Sequence, residues 1–380
     1  QNFFTDMAWW ACLSSAINQG NGVKYTLLNP GPVSLSEGVR RAVTRMDLCH
    51  REPEYFELQD QVISGLLDVY HCDPKQWAAV LIGGSGTSAM EAMMVSLIPD
   101  DAHVLVLENG VYGERLSKIA DIYGIRHDSL KSAWGEEIDL KALDGLLASN
   151  QFSHVLAVHH ETTTGRLNPI DEIAALCTGY GVKLLLDAVS SFGAESIPFD
   201  QPCLHAIAAT ANKCLHGIPG LAMVLCRHED LQQDIKPRSL SLHLPGWAKQ
   251  QAKQSTPFTP AVNALLGLAQ ALKELDKQGG WKARKARYCE LAGRVAETCS
   301  ELGVEPWLPA EDSSCVLRSY HLPKGLTYGR LHDGLKQHGF IIYAGQGRFA
   351  EQLFRVSTMG EISDYEMARL EQAFRSVISD

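Results

Sequence analysis

Short apolar runs alternate with stretches of helical spacing through the middle of the chain. Residues 77–82 form an apolar run that stops at Gly83-Gly84-Ser85-Gly86, which predicts a strand and then a turn. Ala89, Met90, Met93, Met94, Leu97 and Ile98 follow at three- and four-residue intervals and predict a helix. Residues 103–107, 155–158, 183–186, 206–209 and 221–226 repeat the strand pattern. In Leu184-Leu185-Leu186 no polar residue alternates with the apolar ones, as in strands buried on both faces. Strands separated by helices imply an α/β fold: a mostly parallel central sheet with helices on both faces.

The flanks read differently. Residues 1–24 are expected to form an N-terminal helix or arm that packs on a neighbour. Asn29-Pro30-Gly31-Pro32 predicts a rigid turn, and Val39, Ala42, Val43 and Met46 predict one helix face. Residues 237–260 are rich in Pro, Ser and Gly and predict a loop. Residues 261–303 predict one or two helices, including a long connecting one that carries the basic run 282–287. From about 305 onward the pattern runs strand, helix, strand, helix. The expected organisation is an arm (1–24), a large domain (25–275) and a smaller α+β C-terminal domain (276–380).

Composition narrows the function classes. At 380 residues, 45% apolar and 21% charged, the chain suits a soluble globular enzyme. A net charge of -10 argues against nonspecific nucleic-acid binding, which needs a basic surface. The ten cysteines include no CxxC pair, so no metal centre is expected; reduced, buried thiols in a cytoplasmic protein are. No apolar run approaches the ~18 residues of a membrane span. Residues 3–17 are apolar but lack the basic start of a signal peptide.

The chemistry lies at predicted strand ends, where open α/β sheets bind ligands. Asp187 ends one strand; there an acid can bind a metal, a ribose or a protonated ring nitrogen, or simply cap a helix. Lys213 follows the next strand. A lysine there, flanked by apolar residues, can lose part of its pKa to desolvation and act as an amine nucleophile. Pyridoxal phosphate (PLP) requires such an amine, together with an acid that keeps its ring nitrogen protonated. Residues 83–88, Gly-Gly-Ser-Gly-Thr-Ser, open a helix after a strand, where free N–H groups and the helix dipole favour an anion. This loop is neither a Walker motif nor a full GxGxxG. Each element alone is a weak signal; the three together read as a PLP site.

Several motifs resemble the class V aminotransferases of PLP fold type I. They are Asn29-Pro30-Gly31-Pro32, Gly84-Ser85-Gly86-Thr87, residues 109–113, residues 160–165, Asp187-Ala188-Val189-Ser190-Ser191 and Ala211-Asn212-Lys213-Cys214. Within that class, residues 161–172, Ser191-Phe192-Gly193 and residues 238–242 are most similar to the 2-aminoethylphosphonate–pyruvate branch. The resemblance runs from about residue 25 to the end. It implies that Lys213 binds the cofactor as a Schiff base and that Asp187 pairs with the ring nitrogen. Ser85, Gly86 and Thr87 would hold the phosphate, Tyr112 would stack on the ring, and Thr162 would reach the phenolic oxygen. Ser255 and Thr256 would reach the phosphate from a partner subunit, which implies a homodimer with shared sites. Arg355 would bind the substrate anion, as the planar guanidinium fork suits. The implied partners are a small amino donor and a keto-acid acceptor.

The segment Asp47-Leu48-Cys49-His50-Arg51-Glu52 departs from that branch and offers Arg51 as a further substrate-anion contact. The loop Ala344-Gly345-Gln346-Gly347-Arg348-Phe349 is also unusual. These departures keep two other PLP reactions open: an ammonia-lyase acting on a hydroxylated aminoethylphosphonate, and an alanine–glyoxylate type transamination. A cysteine desulfurase would need a cysteine on a mobile loop, and Cys315 reads instead as lying at the start of a strand.

Overall fold

The computed structural model describes residues 25–149 and 151–379. The predicted arm, 1–24, lies outside the described residues. Seven strands build the main sheet: β1 (Trp77–Gly84), β2 (Val104–Glu108), β3 (His127–Lys131), β4 (His154–Val158), β5 (Lys183–Asp187), β6 (Leu204–Thr210) and β7 (Gly220–Arg227). Their order is β1-β7-β6-β5-β4-β2-β3. β7 runs antiparallel to β1 and β6, and the other four pairings are parallel. The sheet is therefore mixed but mostly parallel, as the sequence predicts. β3 had no sequence signal: His127-Asp128-Ser129-Leu130-Lys131 is an edge strand, partly exposed, without an apolar run.

Burial explains the unbroken apolar strands. Leu184 and Leu186 face one core with Val155, Ile207 and Ala209. Leu185 faces the opposite core with Leu156, Ala206 and Ala208. Each such leucine contributes roughly 1.5–3 kcal/mol by leaving water. On the first face pack helices α2 (Pro53–Asp68) and, beyond the main run, α7 (Val262–Lys277), with α1 (Glu37–Val43) lying against α7. On the second lie α3 (Gly86–Leu97) and α4 (Val111–Tyr123). α5 (Ile170–Tyr180) joins β4 to β5 across the first face.

Two local expectations change. Ser36 caps α1 by accepting from Val39 N at 3.0 Å, but the helix stops at Val43 and Met46 is 44% exposed. Within the predicted loop 237–260 sits a two-turn helix, α6 (Leu244–Gln251), started by Pro245 and pinned by Gln251, whose amide bonds both Leu81 N and Leu81 O. The region 261–303 forms α7 and then α8 (Gly280–Glu301), with Gly279 between them at φ +98.

Beyond α8, a three-stranded sheet of β8 (Leu317–His321), β9 (Tyr343–Ala344) and β10 (Leu353–Ser357) has the order β8-β10-β9. Helices α9 (Tyr328–Gln337) and α10 (Asp364–Ser379) share a core with it, which includes Tyr320, Leu331, Phe354 and Phe374. Thr26–Leu27 pairs in parallel with Phe340–Ile341, so the start of the described chain is stitched to this late segment.

Candidate active site

Strands β1, β2, β4, β5 and β6 all point the same way, so their carboxyl ends line one edge of the sheet. Asp187 closes β5 and is 3% exposed. Its Oδ1 accepts from Val189 N at 2.9 Å, whereas Oδ2 is buried with no partner. Burial pushes the carboxyl up to about 6, against the pull of the Val189 N–H, Arg115 and Lys213. A buried acceptor without a donor is costly and points to a missing N–H partner.

Lys213 sits in the tight turn after β6, fixed by His216 N to Lys213 O and Gly217 N to Ala211 O. Its ammonium donates to Pro30 O. Burial lowers its pKa to about 8, against Cys214 and Asp187, and Arg355 and Arg115 add to the lowering. The approach of the 29–32 turn needs glycine at 31: an added Cβ would stand 2.8 Å from Lys213 Cδ, at a φ of +104.

The glycine loop leads into α3, with Ser85 at the cap and Ser88 Oγ accepting from Ser85 N at 3.2 Å. Gly86 lies against the residue two places after Asp187: a Cβ there would come within 2.6 Å of Val189 Cγ1. Thr87 Oγ1 accepts from Arg115 Nη1 at 3.4 Å, and the Arg115 guanidinium lies 4.4 Å from the Tyr112 ring centroid. Tyr112 stands at the start of α4. There the N–H groups of Tyr112 and Gly113 both donate to Glu161 Oε2 at 3.2 Å. Glu161 also accepts from Thr163 Oγ1 at 2.6 Å, yet burial still pushes it up to about 7.

Arg355 reaches in from the middle of β10. Its Nε donates to Ala344 O at 2.8 Å, and its Nη1 donates to Thr162 O at 2.8 Å and to Gln346 Oε1 at 3.2 Å. Thr162 thus touches Arg355 through its carbonyl. Arg51 lies with Ser255 and Thr256 instead, donating from Nη1 to Ser255 Oγ at 3.3 Å and Thr256 O at 3.0 Å. Among the described residues these hydrogen bonds do not join that trio to Asp187, Lys213 or the glycine loop. Cys315 is buried, with Sγ 3.7 Å from Lys285 O, and sits just before β8.

Sequence reasoning gave no role to Arg115, or to Gln346 and His160 within the segments it quoted. Arg115 had a signal: it stands three residues after Tyr112 on one helix, so the two share a face. His160 is buried with Nε2 unpartnered, and burial beside Lys213 lowers it to about 4. No local pattern reveals that neighbour, which the fold brings from a different strand.

An orphaned acid, a lysine of lowered pKa and a helix-end loop thus meet at one edge of the sheet. The aminotransferase class-V family model matches residues 75–316, and the chain belongs to this family. It is 33% identical over 359 residues to a 2-aminoethylphosphonate–pyruvate transaminase of Phocaeicola vulgatus, covering 93% of this chain and 99% of that one. It is 34% identical over 364 residues to the transaminase of the same name from Salmonella paratyphi B, covering 93% and 98%. An aspartate aminotransferase of subgroup IV from Thermus thermophilus superposes with a TM-score of 0.84 at 28% identity, over 93% of this chain and 99% of that one.

Proposed function

We propose that this enzyme uses pyridoxal phosphate to move the amine of 2-aminoethylphosphonate, or a close aminophosphonate, to pyruvate. The observation that carries the reading is the unpartnered Asp187 Oδ2 on the strand beside a buried, pKa-lowered Lys213. PLP, when bound, supplies a carbonyl that captures amines and a protonated ring that withdraws electrons.

Each residue then has a definite task. Lys213 Nζ would hold the cofactor and, once released, would take a proton from the amine-bearing carbon of the donor and deliver one to the carbonyl carbon of the acceptor in the second half of the exchange. A pKa of about 8 leaves part of this amine neutral near neutral pH. Asp187 Oδ2 would accept from the protonated ring nitrogen, the donor it lacks. Ser85, Gly86 and Thr87 bind the phosphate at the start of α3, and Tyr112 supports the ring face. Arg355 binds the anionic end of both substrates in turn. A phosphonate and a carboxylate both suit its fork, so one site serves both halves of the exchange.

Ser255 and Thr256 are assigned to the phosphate in the site of a partner subunit, and Arg51, which bonds both, to the substrate anion there; the enzyme is then a homodimer with shared sites. Nine free cysteines among the described residues favour a reducing compartment such as the cytoplasm. The division of the chain near residue 275 belongs to the same proposal, with Arg355 carried by the smaller unit. The test is to incubate the enzyme with 2-aminoethylphosphonate and with its hydroxylated form, each with and without pyruvate. Alanine formed only in the presence of pyruvate supports the reading; ammonia released without pyruvate overturns it in favour of a lyase.

A further inference from the structure

The glycine loop at the start of α3 offers backbone N–H groups and two hydroxyls to a phosphate, but no charged side chain of its own. Ser85 and Thr87 are neutral, and Lys213 is committed to the other end of the cofactor. Arg115 hydrogen-bonds Thr87 Oγ1 from one turn into α4, with its guanidinium 4.4 Å from the Tyr112 ring centroid. Its charge also reaches the other end of the cradle, where it opposes part of the rise that burial imposes on Asp187 and adds to the lowering of Lys213. A cation therefore lies between the hydroxyl of the loop and the aromatic ring, on the rigid first turns of two helices.

We infer that Arg115 is a cofactor-binding residue that supplies the positive charge for the PLP phosphate and makes the site select phosphorylated pyridoxal over pyridoxal. The inference rests on the PLP reading above. Bound phosphate and a guanidinium form charge-assisted hydrogen bonds, which are roughly twice as strong as neutral ones. The same guanidinium, spread over Tyr112, holds the ring in place for the cofactor by a cation–π contact. Its planar fork serves both partners together, which an ammonium would not.

The test compares equilibrium binding of PLP and of pyridoxal to cofactor-free protein, followed by tryptophan fluorescence. Arg115→Met keeps the aliphatic stem without the charge, and Arg115→Gln keeps a donor for Thr87 without the charge. Both are expected to weaken PLP at least about tenfold, and pyridoxal, which loses only the support of Tyr112, by a clearly smaller factor. Arg115→Lys is expected to recover part of the preference for PLP. Equal losses for both ligands would assign Arg115 a structural role and overturn the inference, as would unchanged PLP affinity. Two charge-free variants guard against one of them failing to fold, which circular dichroism detects. Unaltered protein that binds neither ligand would instead overturn the PLP reading itself.

Discussion

Burial makes Lys213 a different base from a surface lysine. In the fold its pKa is about 8, whereas its ordinary value is 10.5. Between those two values the unfolded chain binds the extra proton, so this group's contribution to stability rises with pH across that window. The neutral amine is the form that captures a carbonyl. Capture of PLP by cofactor-free protein should therefore quicken as pH rises through about 8 and level off above it. Stopped-flow absorbance over that range checks this; a midpoint near the ordinary lysine value would contradict it. At Asp187, substitution by Asn removes the charge while keeping the shape. The lost charge-assisted bond, on the order of 1.5–3 kcal/mol, should lower kcat about ten- to a hundredfold. Unchanged turnover would remove Asp187 from the ring nitrogen. Lys213, Asp187 and the glycine loop were legible because each ends an apolar run. Arg115, Gln346 and His160 were not, because their neighbours come from other elements.

At the scale of elements, two joints set the site. Glu161, beyond the end of β4, bonds the first N–H groups of α4 and the hydroxyl of Thr163. Glu161→Ala leaves buried donors unpaired and should cost about 1–3 kcal/mol of stability, read by denaturant unfolding. The second joint is α3 against Val189. Gly86→Ala puts a Cβ within 2.6 Å of Val189 Cγ1, so the start of α3 must move. PLP affinity should fall with it, by more than the loss in stability explains; unchanged affinity would detach the α3 terminus from the phosphate. The sheet strands were legible from apolar runs bounded by glycine and polar residues. The edge strand β3 was not, because its residues face water in part. Helix α6 was hidden in a Pro- and Ser-rich stretch, where Gln251 and the Ser96–Leu242 contact, rather than periodicity, hold it.

The whole molecule brings two clusters into question together. Asp187, Lys213, Arg355 and the glycine loop gather at one edge of the sheet, while Arg51, Ser255 and Thr256 gather separately. If a second copy completes each site, two defective proteins complement each other. Mixing Lys213→Ala with a Ser255→Ala, Thr256→Ala double variant under subunit exchange should restore about a quarter of full activity, since half the dimers are hybrids with one intact site of two. Activity that stays at the level of the separate variants would refute shared sites. Alternating strands and helices made the sheet legible from the sequence. The orientation of β7 and the pairing of Thr26–Leu27 with Phe340–Ile341 were not legible, since long-range pairing leaves no local pattern. The central claim is that Lys213, beside Asp187, holds PLP, and titration of cofactor-free protein with PLP tests it most directly. The account predicts one visible absorbance band per chain that survives dilution and is absent in Lys213→Ala; no band, or the same band in that variant, would contradict it.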